Sequence, residues 1–391
     1  MDLDLDAADE AFRTKVRDWL AAHVPAVPLP SLETADGFAA HREWEATLAA
    51  DRWSVVSWPE EFGGRGGSLL RWLVFEEEYY GAGAPGRVSQ NGINLLAPTL
   101  FEHGTAEQLA RILPAMARGE VIWAQAWSEP EAGSDLASLK STAVRTEGGW
   151  LLSGQKTWSS RAAFADRAFG LFRSDPEADK PHRGLTYLMF PLDAEGVTVR
   201  PIGRLDGKPA FAELFLDGVF VPDEDVIGEP GQGWRVAMST AGNERGLTLR
   251  SPGRFTAAAD RLAALWRAHG DPADTALRDR VADAVIGARA YRLFSYAGAS
   301  RVLHDEGGPA GASASLNKIY WSELDIALHE TALDLLGPYG ELADHADESP
   351  AGGSWAEGYT FALAGPVYAG TNEIQRDIVA ERLLGLPKGR R

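Results

Sequence analysis

The chain has 391 residues, 24% charged and 45% hydrophobic, with no cysteine and a formal charge of −18. This is the composition of a folded protein with ample apolar surface to bury, and the absence of thiols excludes disulfides, thiol catalysis and thiolate metal sites. With 56 acidic residues against 38 Lys plus Arg, no basic stripe is expected that would follow a phosphate backbone, so nucleic acid is not an expected partner. The acidic start, MDLDLDAADEAF, has neither the basic nor the apolar region of a signal peptide. No apolar run reaches the roughly 18–20 residues of a membrane span. The expectation is a cytoplasmic protein without a membrane partner.

Residues 1–122 read as mainly helical. Phe12, Val16, Trp19 and Leu20 share one helix face, and the prolines at 25–30 end that helix. Residues 58–68 (WPEEFGGRGGS) form a glycine-rich loop, 70–80 resume a helix, and a last helical piece leads to Gly119. Residues 123–232 change to short runs rich in Thr, Val and aromatics between Gly and Pro turns, the pattern of antiparallel strands. A hairpin is predicted where 141–146 and 150–153 flank Glu147, Gly148 and Gly149, the glycines being free to take positive φ. Further strands are predicted over 168–173, 185–191, 197–202 and 211–221, enough for a small barrel or sandwich. Residues 233–391 return to a helical period over 234–268, 275–304, 313–336 and 373–384, with loops at 305–311 and 337–358. The chain is therefore expected to be α+β, mainly α, with domains at 1–122, 123–232 and 233–391.

Gly81, Gly83 and Gly86 match the G-x-G-x-x-G dinucleotide fingerprint, but a helical pattern precedes them, Pro85 interrupts them and no βαβ unit follows, so they read as a helix-terminating loop. The eight histidines contain no H-x-x-x-H pair, and no metal is expected. Residues 125–135 (QAWSEPEAGSD) are more informative. They enter the β region with a glycine, Gly133, that allows close approach and with Ser128 and Ser134 as donors, a loop fit for a flat or anionic ligand, although a plain entry turn has the same composition.

That loop is accompanied by 152–160 (LSGQKTWSS, continuing from the hairpin) and by 368–386 (YAGTNEIQRDIVAERLLGL), where a Gly-Thr cap opens an amphipathic helix at Ile374, Ile378, Val379 and Leu383. Together with WPEEFGG and HGTAEQ around His103, in this order and spacing over nearly the whole chain, they resemble the acyl-CoA dehydrogenase family. The resemblance implies an N-terminal helical domain, a middle antiparallel β-barrel domain and a C-terminal four-helix bundle, with FAD as cofactor. It places Gln125, Ala126, Trp127 and Ser128 against the flavin ring, Gly133 and Ser134 near CoA or FAD phosphates, and Trp158, Ser159 and Ser160 beside the isoalloxazine. Gly370, Thr371 and Asn372 touch FAD from the other side, where a helix N-terminus favours anionic groups.

The implied reaction is α,β-dehydrogenation of an acyl-CoA, in which a carboxylate takes the α-proton while flavin N5 accepts the β-hydride. Many family members carry that base directly before the Gly-Thr pair, a position held here by Ala369. The isovaleryl-type and long-chain members place it in the first helix after the β domain, before an Arg, and Glu244 with Arg245 matches that pattern. A Glu-Arg pair on a helix is otherwise a solvated surface pair. Arg245 is assigned to substrate positioning, with helix packing as the alternative, and Arg204 and Lys208 are further candidates for CoA contact.

The family's Arg-x-x-Phe-Gly, which completes a neighbour's FAD site, is missing from 266–279 (WRAHGDPADTALRD). The implied partners are an acyl-CoA substrate, electron-transfer flavoprotein as electron acceptor, and either further copies of this chain or a second acyl-CoA dehydrogenase-like chain in a heterotetramer. A non-catalytic subunit and a flavin monooxygenase on the same fold are the alternatives.

Overall fold

A computed structural model describes residues 5–244, 251–303, 310–342 and 346–388. The chain divides into two compact units, Met1–Val24 with Ser68–Ala84 and Arg245–Arg391, and Pro25–Gly67 with Pro85–Glu244.

The first unit is helical. Its described elements are α1 (Ala7–His23), α3 (Leu69–Gly81), α7 (Pro252–His269), α8 (Thr275–Leu303), α9 (Ala310–Leu336), α10 (Ser354–Ala362) and α11 (Asn372–Ile378), which a π turn (Val379–Leu383) continues. Asp6, Ser68 and Ser251 cap α1, α3 and α7 by accepting backbone N–H groups, and Pro252 stands in the first turn of α7, where its missing N–H costs nothing. The core alternates small and large side chains, Ala258, Ala259, Ala284, Ala288 and Ala332 against Phe255, Tyr291, Trp321 and Leu328, so the helices α7, α8 and α9 approach closely. Two expectations are corrected here. The helical stretch predicted over 234–268 is two helices, α6 (Gly233–Glu244) and α7, with 245–250 outside the described residues; a Ser cap followed by Pro starts a helix afresh. The loop predicted over 337–358 contains two short 3-10 turns and the start of α10, whose Trp355 and Ala362 are buried although the Asp, Gly and Pro residues around it read as coil.

The second unit holds α2 (Ala35–Ala50), a π turn (Gly92–Leu96) running into α4 (Ala97–His103), α5 (Ala106–Ala117), strands β1 (Trp123–Ala126), β2 (Thr142–Thr146), β3 (Gly149–Ser160), β4 (Arg167–Arg173), β5 (Leu185–Pro191), β6 (Val197–Ile202), β7 (Phe211–Pro222) and β8 (Val226–Ile227), and α6 (Gly233–Glu244). The strands form one sheet in the order β6-β7-β3-β2-β4-β5-β8, with β1 added on β4. Its buried side chains, among them Leu152, Phe172, Leu188, Phe190, Leu214 and Val221, make the core of this unit.

The sheet is not purely antiparallel, because β1 runs parallel to β4, with Ala126 opposite Gly170. A side chain at 170 would put its Cβ 2.3 Å from the Ala126 carbonyl oxygen, so only glycine lets β1 approach. The hairpin turn is also tighter than predicted. Thr146 pairs with Gly149, only Gly148 has positive φ (71°), and Gly149 is already strand, where a Cβ would meet the Val221 carbonyl at 2.2 Å. Gly81 ends α3, as the dismissed dinucleotide motif requires. Among the described residues, no helix is long and apolar enough to cross a membrane.

Candidate active site

The alternation along β3 puts Trp150, Leu152 and Lys156 on the inward face. A lysine in that phase needs a partner, because desolvating an ammonium is costly. Glu129, in the loop after β1, supplies it at 2.8 Å, with the Lys156 and Glu129 side chains 0% and 6% exposed. Lys156 also donates to the Leu171 carbonyl at 2.7 Å, while Glu129 accepts backbone N–H groups from Lys140 at 2.6 Å and Ser141 at 2.9 Å. Burial pushes the Lys156 ammonium down to about 8 despite the attraction of Glu129. Burial also works against the Glu129 carboxylate, but Lys156 and the two backbone donors outweigh it and hold that carboxyl below its ordinary value. The pair is charged at neutral pH and pins the loop carrying Trp127 and Ser128 to β3, where the Thr157 N–H donates to the Ser128 carbonyl at 2.8 Å.

Just beyond Lys156 the strand bulges. Lys156 pairs with Leu214 and Ser159 with Ala212, so three residues of β3 span two of β7, and Trp158 takes φ 58°. The bulge inverts the alternation. It turns Ser159 fully inward and leaves the Trp158 indole 60% exposed, edge-on to Phe211 at 5.8 Å. A bulky residue held in the left-handed region is strained, and such strain collects at functional sites.

Behind Trp127 lies a run of buried hydrogen bonds. The Trp127 indole N–H donates to the Tyr187 hydroxyl at 3.1 Å, Tyr187 meets Thr240 Oγ1 at 3.2 Å, and Thr240 meets Thr99 Oγ1 at 2.7 Å. Thr99 in turn donates to the Leu95 carbonyl of the π turn at 2.7 Å. One residue before Thr240, Ser239 bonds His103 Nε2 at 2.8 Å, so α4 holds α6 at two successive positions. Glu244 follows Thr240 by four residues, hence one turn along the same face of α6. Burial pushes the Tyr187 phenol up, and the charge of Glu244 adds to that shift. The candidate base and the Trp127 loop thus belong to one neighbourhood.

The other predicted residues are distributed as follows. Ala126 is fully buried and offers only its backbone, while Gln125 is half-buried in β1. Gly133 and Ser134 are exposed, and Arg245 lies outside the described residues. Arg204 pairs with Asp206, and the Lys208 N–H donates to the same carboxylate at 3.1 Å. In the helical unit, Ala369 and Gly370 take φ 56° and 77°, and their carbonyls accept from the buried Gln375 amide at 3.1 and 3.3 Å. Thr371 caps α11, accepting the Ile374 N–H at 3.3 Å. Asn372 turns inward, its Oδ1 accepting from Lys318 at 2.7 Å and Ser322 at 3.2 Å, and its Nδ2 donating to Glu323 at 3.3 Å.

Tyr187, Thr240, Thr99, Glu129 and Lys156 did not stand out in the sequence. Only Lys156 left a signal there, as a charge in the apolar phase of a strand.

The donor set near the bulge suits a flavin. Ser159 Oγ is buried without a hydrogen-bond partner, the Ser128 and Ser160 hydroxyls bond no described residue, and the Trp158 indole offers an open aromatic edge. Among the described residues no cluster of three or more His, Asp or Glu is placed to hold a metal ion.

Models of the acyl-CoA dehydrogenase N-terminal, middle and C-terminal domains match residues 6–120, 124–219 and 231–384. The chain is 37% identical to the acyl-CoA dehydrogenase IpdE1 of Mycolicibacterium smegmatis over 397 residues, covering 97% of this chain and 98% of that one. Among solved structures, the Tcur3481-Tcur3483 steroid ACAD is similar with a TM-score of 0.89 and 31% identity over 100% of both chains. The ChsE4-ChsE5 complex from Mycobacterium tuberculosis is similar with a TM-score of 0.86 and 29% identity, again over 100% of both chains.

Proposed function

Because the chain belongs to the acyl-CoA dehydrogenase family, FAD-dependent oxidoreductases acting on CH–CH bonds, we propose that it converts an acyl-CoA thioester to its 2-enoyl-CoA with Glu244 as the base. The observation that carries this reading is the position of Glu244, one turn past Thr240, whose hydroxyl connects through Tyr187 to Trp127 of the loop against which the flavin would lie. Ala369, at the family's other base position, has no acid to offer.

FAD, when bound, supplies the acceptor for the β-hydride. Ser128, Ser159 and Ser160 provide hydroxyls for its ring, Gln125, Ala126 and Trp127 line the loop face, and Gly133 and Ser134 serve the phosphates. In the helical unit, Gly370, Thr371 and Asn372 offer backbone and hydroxyl groups to FAD, the Asn372 amide being engaged within its own unit. Glu244 takes the α-proton on its carboxylate, and the bound acyl chain excludes water from it. Arg245 orients the thioester.

The likeness to a steroid ACAD supports a polycyclic acyl group as substrate. The likeness to two-chain assemblies, with the missing Arg-x-x-Phe-Gly, supports a heterotetramer with a second acyl-CoA dehydrogenase-like chain, delivering electrons to electron-transfer flavoprotein.

The test is anaerobic bleaching of the flavin band by a panel of acyl-CoA thioesters, in the chain alone and co-expressed with such a partner. Glu244→Gln is expected to slow bleaching on the order of a thousandfold while FAD stays bound. Bleaching at the wild-type rate in that variant excludes Glu244 as base, and failure of every preparation to bind FAD points to a non-catalytic subunit.

A further inference from the structure

The indole of Trp127 can only donate, so the proton of Tyr187 has to point the other way, toward Thr240. Thr99 and Thr240 meet at 2.7 Å, and each hydroxyl has a backbone carbonyl as a second acceptor, Leu95 for Thr99 at 2.7 Å and Val236 for Thr240 at 3.2 Å. The hydrogen bonds run without a break from Trp127 through Tyr187 and Thr240 to Thr99, and each threonine is anchored on its own helix or turn backbone. Tyr187, Thr240 and Thr99 are all fully buried, so no water competes for these bonds and a break leaves a polar group unsatisfied.

We propose that Tyr187 is a positioning residue, holding the helix that bears Glu244 and the indole of the cofactor loop in one fixed arrangement through this buried chain of hydrogen bonds. The proposal rests on the reading of Glu244 as base. Tyr187 is clamped on its remaining sides, with Phe169 stacked at 6.2 Å and the Trp127 ring edge-on at 6.3 Å, so its hydroxyl has one available place. Because the phenol proton is committed to Thr240, it is not available to neutralise the carboxylate on the next turn of α6. The chain fixes the base's helix without weakening the base.

Tyr187→Phe removes the acceptor of Trp127 and the donor to Thr240 while keeping the ring. In the holoenzyme the dissociation constant of FAD is expected to rise about tenfold and kcat to fall about tenfold at nearly unchanged KM. Thr240→Val is expected to do the same, Thr240→Ser to recover most of the loss, and the Tyr187→Phe, Thr240→Val double variant to be little worse than either single one. Wild-type FAD affinity and kcat in Tyr187→Phe, additive losses in the double variant, or equal losses for Thr240→Ser and Thr240→Val each overturn the proposal. FAD affinity separates this from the base assignment, since Glu244→Gln is read by bleaching with FAD still bound.

Discussion

The bulge of β3 in the β unit and the turn before α11 in the helical unit solve one problem by different means. Each presents a non-glycine residue in the left-handed region, Trp158 at φ 58° and Ala369 at φ 56°. In the β unit the backing is ionic, the buried Lys156 and Glu129 pair, with a hydroxyl chain behind Trp127. In the helical unit it is built on amides, Gln375 holding the carbonyls of the turn and Asn372 bound by Lys318 and Ser322. Losing one member of an ion pair without water around it costs far more than losing an amide contact, so the two supports should fail to very different degrees.

The largest expected effect is in the β unit. Lys156→Met leaves the Glu129 carboxylate buried without its cation and should cost about 3–5 kcal/mol of stability. Adding Glu129→Gln should return part of that loss, and denaturant unfolding of both variants measures it. Asn372→Ala takes one acceptor from the buried Lys318 and should cost about 1–3 kcal/mol. A loss as large as that of Lys156→Met would show that the two supports are not different in kind.

A pH series sharpens the contrast. The Lys156 ammonium is held at about 8 in the folded chain against an ordinary value of 10.5, so between those values the unfolded chain binds more protons. This group therefore adds stability as pH rises from about 8 toward 10.5, and the added stability is lost as pH falls back through about 8. The stability gap between wild type and Lys156→Met should widen with pH in that window. A gap that is flat from pH 8 to 10 would show that Lys156 titrates as an ordinary lysine. The smallest effect is expected at the other support. Ala369→Gly relieves left-handed strain of about 1 kcal/mol but returns about 0.4–1 kcal/mol as unfolded-chain entropy, leaving the melting temperature nearly unchanged.

Much of this was legible in the chain itself. Short β-branched and aromatic runs between Gly and Pro located β4 to β7 within a residue, because hydrophobic alternation and turn chemistry are local properties. The helix from 354 was hidden because its Gly, Asp and Pro surroundings read as coil and only packing of Trp355 reveals it. The bulge at Trp158 was hidden for a similar reason, as nothing in KTWSS states that β7 will supply two residues against three.

The sequence by itself determined the family and the alternation of helical and β regions. Those follow from residue identity and spacing along one chain. Only the tertiary structure decided that Lys156 meets Glu129 and that a tyrosine from β5 connects a tryptophan after β1 to a threonine on α6. Those contacts join residues 27 to 60 positions apart. Their geometry depends on how strands and helices pack, and no local pattern carries that.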